Sequence, residues 1–197
     1  MVKRVFDFCG SLAGLLFLSP LFVFVAVLIK ASSPGPVFYR GERIGLNGRV
    51  FRIFKLRTMV AEAGALGGTS TSSDDSRVTA VGRVLRKYKI DELPQLINVL
   101  VGEMSFVGPR PQVEWAVKLY NEDQRRLLSV RPGITDHASI AFRNEAEILA
   151  GSPDPDEAYL EKIAPEKIRL GLEYVDNNSL WVDLKIIFAT FRAVFLK

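Results

Sequence analysis

The chain has 197 residues, of which 48% are hydrophobic and 24% charged, and its formal charge is +4. This length suits one globular domain with or without an appendage, and the composition excludes a disordered chain. Cys9 is the only cysteine and His137 the only histidine, which excludes an intramolecular disulfide framework and a Cys/His zinc site and leaves acid–base chemistry to carboxylates or lysine.

The charge is distributed unevenly along the chain. Residues 1–90 contain 14 Lys/Arg and 5 Asp/Glu, a net +9, whereas residues 91–197 contain 12 and 17, a net −5. A basic half of this size predicts an anionic partner, which is nucleic acid, a phosphorylated substrate or anionic lipid.

An uncharged apolar run extends from Phe8 to Ile29 between basic flanks. As one helix it would be ~33 Å long, about the thickness of the hydrocarbon core, and it predicts membrane attachment. A signal peptide is disfavoured, because the run exceeds a usual apolar region and no A-x-A cleavage site follows it. Ser19-Pro20 lies at its middle, where proline removes a backbone donor and bends a helix. A straight span and a helix that kinks and returns to the same face both remain open, since two basic flanks give no preferred direction.

The next segment has the pattern of a β-hairpin. Two arms, Val37–Ile44 and Arg49–Leu56, flank a Gly45–Gly48 turn in which Asn-Gly is a strong hairpin signal. Alternation along the second arm places Lys55 and Arg57 on one face, separated by about the spacing of adjacent phosphates. A solvated basic edge is the alternative.

Residues 61–75 are small and polar without periodicity, which predicts a mobile loop. Thr79 is suited to cap a helix from about Ala80 to Lys89. Three basic residues at positions i, i+3 and i+4 share one face of that helix, namely Arg83, Arg86 and Lys87.

Asp91 and Glu92 precede Pro94 and an apolar stripe, which predicts that they open a helix ending near Gly102. The helix dipole favours anions at this position, so we expect Asp91 to stay ionised and to serve as a nucleophile or Mg²⁺ ligand. Glu92 would be a second ligand or a base. The alternative is an ordinary N-cap with an acidic first turn.

The residues around Asp91 and Glu92 favour a catalytic role for the pair over an ordinary N-cap. A basic helix face precedes the pair, and Arg110 follows it between two prolines in the segment Gly108–Pro111. The alternative interpretation of this segment is a rigid connector. Carboxylates, convergent arginines and an implied metal are what phosphoryl transfer requires, and a planar guanidinium binds phosphate oxygens in pairs. No Walker P-loop or G-x-G-x-x-G motif is present, so a conventional nucleotide fold is not indicated.

Three later helices are predicted near Val113–Leu128, Glu166–Val175 and Leu180–Phe195, with an acidic loop at 151–157. The last helix has apolar residues at a spacing of three to four. Such a stripe packs in a core or, beside a membrane anchor, lies in the membrane interface, and both alternatives remain open. The stripe consists of Trp181, Leu184, Phe188, Phe191 and Phe195.

Residues 75–111, DSRVTAVGRVLRKYKIDELPQLINVLVGEMSFVGPRP, closely resemble the signature of bacterial sugar transferases, the monotopic polyprenol-phosphate phosphoglycosyl transferases. The resemblance covers nearly the whole chain, through KRVFDF near the start, the Ser-Pro of the apolar run, FKLRTM at 54–59, RPGIT at 131–135 and LWVDLKI at 180–186. Without the multi-span N-terminal region of larger relatives, the chain is expected to be of the small stand-alone, PglC-like type.

The resemblance implies an α+β, mostly helical fold with a small β-hairpin and amphipathic interfacial helices around a cytoplasmic catalytic core. A kinked re-entrant membrane helix hairpin at residues 1–30 would precede a cytoplasmic transferase domain at residues 31–197. Members of the family transfer a sugar-1-phosphate from a UDP-sugar to undecaprenyl phosphate, giving a lipid diphosphate sugar and UMP. The reaction initiates glycoconjugate biosynthesis at the cytoplasmic face of the bacterial inner membrane.

The resemblance also implies roles for individual residues. The family's Asp-Glu dyad matches Asp91 and Glu92, so that Asp91 would attack the sugar-bearing phosphate and form a covalent phosphosugar intermediate, with Mg²⁺ at the dyad. The family's phosphate-site arginines match Arg86 and Arg110. Its basic pair after the hairpin matches Lys55 and Arg57, and the kink of its membrane helix matches Ser19 and Pro20, which favours the returning path.

One segment departs from the family pattern. Asp136–Glu145 replaces a Gly-Trp-Ala-Gln-like stretch and a later Asn-Gly-Arg, so we transfer no sugar or nucleotide contact to it and assign His137 no role. The expected partners are a UDP-sugar, undecaprenyl phosphate and membrane lipids, and not nucleic acid. The identity of the sugar, the glycan pathway and the oligomeric state stay open. Two alternatives of other classes are a membrane-anchored module that binds anionic lipid and a Mg²⁺-dependent phosphohydrolase.

Overall fold

The computed structural model describes residues 1–66 and 70–195 of the chain. In this part the fold is mostly helical, with short strands paired two by two. The α-helices are α1 (Val2–Ser32), α2 (Ala80–Lys87), α3 (Gln95–Val101), α4 (Glu114–Lys118), α5 (His137–Ala141), α6 (Glu145–Ile148), α7 (Pro155–Lys162), α8 (Ala164–Asn177) and α9 (Leu180–Phe195). The strands are β1 (Phe38–Tyr39), β2 (Glu42–Ile44), β3 (Val50–Arg52), β4 (Lys55–Leu56), β5 (Ser105–Val107) and β6 (Gly133–Thr135). The predicted α+β, mostly helical class is confirmed.

Helix α1 continues through Pro20 without a break in its assignment. The hydroxyl of Ser19 donates to the carbonyl oxygen of Leu16 at 2.8 Å, one turn earlier. Among the described residues, α1 is the one helix that is long and apolar enough to cross a membrane by length and composition, and only 11% of its most apolar window is buried. A helix in the core of a soluble protein would be mostly buried, so this exposure favours a membrane anchor.

One face of α1 packs along the folded domain over the whole length of the helix. Near the N-terminus, Gly10 lies against the ring of Phe106. Near the C-terminus, Val25 and Ile29 are buried in a cluster with Leu56 and Leu85. Both ends of the helix therefore contact the same domain.

Polar contacts fasten the N-terminal end of α1 to the domain. Arg4 donates to the carbonyl oxygens of Val99 and Leu100 at 2.5 and 2.6 Å, which caps the C-terminal end of α3. Asp7 is buried and accepts hydrogen bonds from the hydroxyl of Ser105 and the amide of Phe106 at 3.1 and 3.2 Å. Since α3 directly follows Asp91 and Glu92, these contacts connect the apolar helix to that turn.

The predicted hairpin is confirmed as two antiparallel ladders, β2 with β3 and β1 with β4. Asn47 and Gly48 form its tip with positive φ angles of 55° and 77°, the left-handed conformations that the Asn-Gly signal predicts. On the inner face, Phe51 and Ile53 pack in a core cluster with Val99 and Met104, so the hairpin is held against α3.

The parallel pair β5 and β6 brings two glycines into contact. A Cβ atom on Gly108 or Gly133 would collide with backbone atoms of the opposite segment, so glycine is required at both positions. This close approach positions the Pro109–Pro111 segment that directly follows.

Helix α9 forms over the predicted residues, and its buried face holds Asp183 and Ile186. The aromatic stripe lies on the opposite, exposed side, where Trp181 is 67% and Phe188 64% exposed. Of the two alternatives for this stripe, the core is therefore excluded for these residues. The side chain of Phe195 and the residue Lys197 lie outside the described set.

Three loop and helix predictions differ from the structure. The predicted helix 113–128 stops after Lys118, because Asn121 and Gln124 cap each other's backbone amides at 3.0 and 2.9 Å and start a separate 3₁₀ turn, Gln124–Ser129. In the predicted loop 151–157, Asp154 instead caps α7. Within the predicted loop 61–75, residues 61–66 form a 3₁₀ segment and residues 67–69 lie outside the description.

Candidate active site

Asp91 and Glu92 lie on a 3₁₀ turn, Ile90–Glu92, between α2 and α3. Lys89 precedes it in the left-handed conformation, with φ at 55°, and turns the chain after α2. The turn runs into α3 through Leu93 and Pro94, both in right-handed helical conformation. The two carboxylates therefore precede α3 as expected, but they are not part of the α-helix itself.

The amide of Asn98 joins the hairpin to α3, the helix that follows this turn. Its oxygen accepts from the amide of Phe54 at 2.8 Å, and its nitrogen donates to the carbonyl oxygen of Arg52 at 3.0 Å. These bonds occupy backbone groups beside β4 and hold Lys55 facing the dyad. The sequence reasoning missed Asn98, although a polar residue inside the apolar run of α3 was the available signal.

Glu92 is the electrostatic centre of the site. The Lys55 Nζ lies 3.0 Å from its Oε1, Arg110 Nη1 donates to Oε2 at 3.0 Å, and Arg110 Nη2 also donates to Oε1. Although burial alone would raise it, these two cations hold the pKa of Glu92 well below its ordinary value of 4.5. Glu92 raises the pKa of Arg110 in return. Glu92 therefore stays ionised and forms ion pairs with both Lys55 and Arg110.

Asp91 has a different environment. It is 7% exposed, and its Oδ1 is buried without a hydrogen-bond partner among the described residues. Burial raises the pKa of Asp91, opposed by Lys55 and reinforced by the charge of Glu92. The sequence argument expected a helix dipole to favour the ionised form, whereas burial shifts the equilibrium in the opposite direction. The result is a strongly desolvated carboxylate with one oxygen that no hydrogen bond in the described structure uses.

Arg86 approaches the site from α2. Its Nε donates to the hydroxyl of Thr58 at 2.9 Å, and the charge of Asp91 acts on its guanidinium. Burial lowers the pKa of Arg86, and Asp91 is the largest influence that opposes this effect. Thr58 is a second residue that sequence reasoning missed. The structure thus gathers Lys55, Arg86 and Arg110 around the two carboxylates.

Arg57 is not part of this group. Its guanidinium donates to the carbonyl and hydroxyl oxygens of Ser33 at 2.7 and 3.1 Å and also to the carbonyl oxygen of Pro34. These are backbone groups at the C-terminal end of α1, where a cation is favoured by the helix dipole. The structure therefore gives Arg57 a contact with the apolar helix α1 and not with the dyad.

A cavity of about 240 Å³ adjoins Arg110, and none of its lining residues belongs to α1. Gln112 and Tyr159 meet across it, with the amide donating to the phenol oxygen at 3.0 Å. Burial raises the pKa of Tyr120, which also lines it, to about 12. Its wall further includes Asp136, which accepts a hydrogen bond from the Arg110 amide at 3.3 Å.

The segment that departs from the family pattern therefore borders the site. Asp136, Ala138 and Ser139 line the cavity, whereas His137 is exposed. Asp136 caps α5 through the amide of Ser139 at 2.6 Å while it holds Arg110. Sequence reasoning missed Asp136, for which the N-cap position before α5 was the only local signal.

The donor set can be compared with what Mg²⁺ requires. No group of three or more His, Cys, Asp or Glu side chains lies together in the described part of the chain. Mg²⁺ is commonly held by one or two carboxylates while phosphates and water complete its shell. The unpartnered Oδ1 of Asp91 fits that mode, whereas both oxygens of Glu92 are engaged by cations. The residues fit a cation held mainly by Asp91 and substrate.

Comparison with known proteins decides the family. The model of the family described as "Bacterial sugar transferase" matches residues 1–197. The chain belongs to the bacterial sugar transferase family. Among the similar proteins is "Exopolysaccharide production protein ExoY" of Rhizobium meliloti, 39% identical over 100% of this chain and 86% of the relative.

Two longer relatives have names that state a reaction. The "UDP-N-acetylgalactosamine-undecaprenyl-phosphate N-acetylgalactosaminephosphotransferase" of Aeromonas hydrophila is 37% identical over 98% of this chain and 43% of the relative. The "UDP-glucose:undecaprenyl-phosphate glucose-1-phosphate transferase" of Escherichia coli is 37% identical over 96% of this chain and 39% of the relative. The sugar transferase similarity therefore includes proteins named for transfer to undecaprenyl phosphate.

Proposed function

We propose that this sugar transferase is a polyprenol-phosphate phosphoglycosyl transferase. It moves a sugar-1-phosphate from a UDP-sugar to undecaprenyl phosphate, releases UMP and initiates glycoconjugate biosynthesis. The observation that carries the proposal is the pairing of two adjacent carboxylates with opposite surroundings. Glu92 is saturated by Lys55 and Arg110, whereas Asp91 is desolvated and keeps Oδ1 without a partner.

The chemistry follows from that asymmetry. The carboxylate oxygen of Asp91 attacks the sugar-bearing phosphorus of the donor, and the bridging P–O bond breaks so that UMP leaves with the electron pair. An oxygen of undecaprenyl phosphate then attacks the phosphorus of the acyl phosphate and releases the Asp91 carboxylate. A weakly hydrated carboxylate is suited to the first step, since little water has to be displaced before attack.

The cationic side chains of the site bind the phosphate groups of the substrates. Arg86 and Arg110 can each present paired N–H donors to phosphate oxygens, and Lys55 contributes a compact charge beside Glu92. We further propose that Mg²⁺ binds at Asp91 with the diphosphate, where it would neutralise charge on the phosphoryl oxygens. Glu92 acts by holding Arg110 and Lys55 in place and is not required as a metal ligand.

The cavity beside Arg110 is the proposed place of the donor's non-reacting part. None of its lining residues belongs to α1, whereas the lipid acceptor must come from the membrane. The two bulky substrates can then use Asp91 in turn from different directions.

The proposed attachment to the membrane is supported by the position and the exposed apolar surface of α1. At one end of α1, Lys3 donates to the carbonyl oxygen of Val107 and the hydroxyl of Tyr174 in the domain. At the other end, Ile29 is buried against the same domain, and a straight helix places it about 39 Å from Lys3. We propose that both ends of α1 stay with the domain on the cytoplasmic face of the bacterial inner membrane. The exposed residues of α1, among them Phe17 at 84% exposure, would contact lipid.

The test is to incubate the full chain, purified in nanodiscs, with Mg²⁺ and a panel of UDP-sugars without acceptor, and to measure its intact mass. We expect an adduct of one sugar phosphate that disappears when undecaprenyl phosphate is added and is absent in Asp91→Asn. Absence of UMP release with every donor plus acceptor would refute the proposal. Steady release of sugar phosphate to water would identify a phosphohydrolase instead.

A further inference from the structure

Gln95 is a fully buried polar side chain whose hydrogen-bonding capacity is unused. It is the first residue of α3 and is 0% exposed, yet neither Nε2 nor Oε1 has a hydrogen-bond partner among the described residues. An amide buried in this way is costly, and native proteins rarely leave one without a hydrogen-bond partner.

The position of Gln95 relates it to the dyad. The backbone is right-handed and helical from the Ile90–Glu92 turn through Leu93 and Pro94 into α3. Gln95 therefore follows Asp91 by one turn, a separation at which side chains of a helical segment are neighbours. Both side chains are buried, and Asp91 Oδ1 likewise has no partner in the described part of the chain. Two unpaired buried polar groups of complementary type, an amide donor and a carboxylate acceptor, thus lie on successive turns.

Asn98 shows that this is not a general property of the buried polar residues of α3. Asn98 is equally buried and lies one turn beyond Gln95, but its amide is fully used by Phe54, Arg52 and Glu103. The hydrogen bonds of Asn98 join elements of the fold. Gln95 joins nothing in the described structure, so no contact within the described fold accounts for a polar side chain at this depth.

We propose that Gln95 is a positioning residue for Asp91. Its Nε2 donates to the carboxylate of Asp91, directly or through one water, when the donor diphosphate is bound, and it holds the attacking oxygen in line with the phosphorus. Because Gln95 is more deeply buried than Asp91, it acts from behind the nucleophile and does not touch substrate. The inference rests on the proposed function and assigns to it a residue outside the dyad and its cations.

The decisive variant is Gln95→Met, which keeps the side-chain length and removes both polar atoms. In the metal-free, substrate-free chain we expect Tm to rise by about 2–4 °C, since an unsatisfied buried amide is removed. With donor and acceptor, we expect kcat for UMP release to fall at least tenfold while the KM for the UDP-sugar stays within twofold. Gln95→Glu, which exchanges the donor for a second buried carboxylate, should lose more turnover than Gln95→Met.

Two controls separate positioning from folding. Leu96→Met places the same side chain on the neighbouring position of α3 and should keep kcat. Asn98→Leu removes the partners of Phe54 and Arg52 and should lower Tm, the opposite sign to Gln95→Met. A lower Tm for Gln95→Met, unchanged turnover, or a raised KM with unchanged kcat would each overturn the proposal. If the wild-type chain transfers and Gln95→Met does so equally well, only this inference fails, whereas a wild-type chain without transfer overturns the proposed function as well.

Discussion

Arg110 and Glu92 form a bidentate ion pair. Both terminal guanidinium nitrogens of Arg110 donate to the carboxylate, Nη1 at 3.0 Å from Oε2. The pair joins the segment after β5 to the turn before α3. Lys55 completes the arrangement from the hairpin, 3.0 Å from the same carboxylate. The side chain of Glu92 thereby holds two cations from separate parts of the chain, Lys55 and Arg110, which we propose bind phosphate.

Replacing Glu92 with glutamine should destabilise the fold. Arg110 and Lys55 would be left as largely buried cations without a counter-charge, and we expect a loss of about 3 kcal/mol in the free energy of unfolding. Urea unfolding in detergent measures it. The matched control is Glu42→Gln, because Glu42 pairs with Arg52 at 3.2 Å on the exposed surface, where a change below about 0.5 kcal/mol is expected. Equal effects of the two substitutions would contradict this role of Glu92.

The stabilising effect of Glu92 should depend on pH. Its folded-state pKa lies well below the unfolded value of 4.5, so its contribution to stability is complete above that value and is lost as pH falls through the folded-state pKa. The difference in unfolding free energy between wild type and Glu92→Gln should therefore be constant at neutral pH and shrink below about pH 4.5. A difference that grows on acidification would exclude the ion pair as its source.

Asp91→Asn should show the opposite pH dependence together with loss of function. The pKa of Asp91 is raised above its ordinary 3.8 by burial, so its favourable contribution exists below that value and disappears as pH rises through the folded-state pKa. We expect the variant to gain stability relative to wild type with rising pH, and to form no phosphosugar adduct. Thermal unfolding across pH and intact mass measure these effects, with the exposed Asp123→Asn as control. An adduct on Asp91→Asn would assign the nucleophile elsewhere.

Arg57 should matter for the attachment of α1 and not for phosphate binding. Arg57→Met removes the donors to Ser33 and Pro34 at the helix end, and we expect a loss of about 2 kcal/mol in unfolding free energy without a change in the KM for the donor. Arg52→Met, on the exposed side of the same hairpin, is the control and should be neutral. A raised donor KM in Arg57→Met would return Arg57 to the phosphate site.

The path of α1 can be tested by cysteine labelling. With Cys9, which is exposed, replaced by serine, single cysteines at Val2 and Ala31 should both be inaccessible to an impermeant reagent from the outside of intact cells. Both should be labelled in inverted vesicles, because the two ends of the helix contact one domain. Labelling from opposite sides would demonstrate a straight span and reject the returning path.

The exposed stripe of α9 predicts contact with lipid. Trp115→Phe leaves Trp181 as the only tryptophan, and we expect acyl-chain-brominated lipids in nanodiscs to quench its emission. Trp181→Phe, which retains the half-buried Trp115, should be quenched far less. Equal quenching in the two variants would show that α9 does not lie in the interface.

The hairpin shows how much of the structure a local sequence pattern can predict. Alternation predicted that Lys55 and Arg57 share a face with Phe51, and the Asn-Gly turn formed as expected. It could not predict that the two cations would meet different partners, Glu92 and the end of α1. Those partners lie distant in the chain, and which of them a side chain reaches depends on how α1 and α3 pack on the strands.

The same division applies to the dyad and to α9. The sequence by itself determined the helices that bear caps and periodic stripes, the long apolar helix and the Asp-Glu motif, because backbone preference and side-chain spacing are local properties. Only the tertiary structure decided that Asp91 is desolvated while Glu92 is neutralised, that Gln95 is buried without a partner, and that the aromatic stripe of α9 faces outward. Burial and charge environment are sums over residues that are far apart in sequence, and they exist only once the elements have packed.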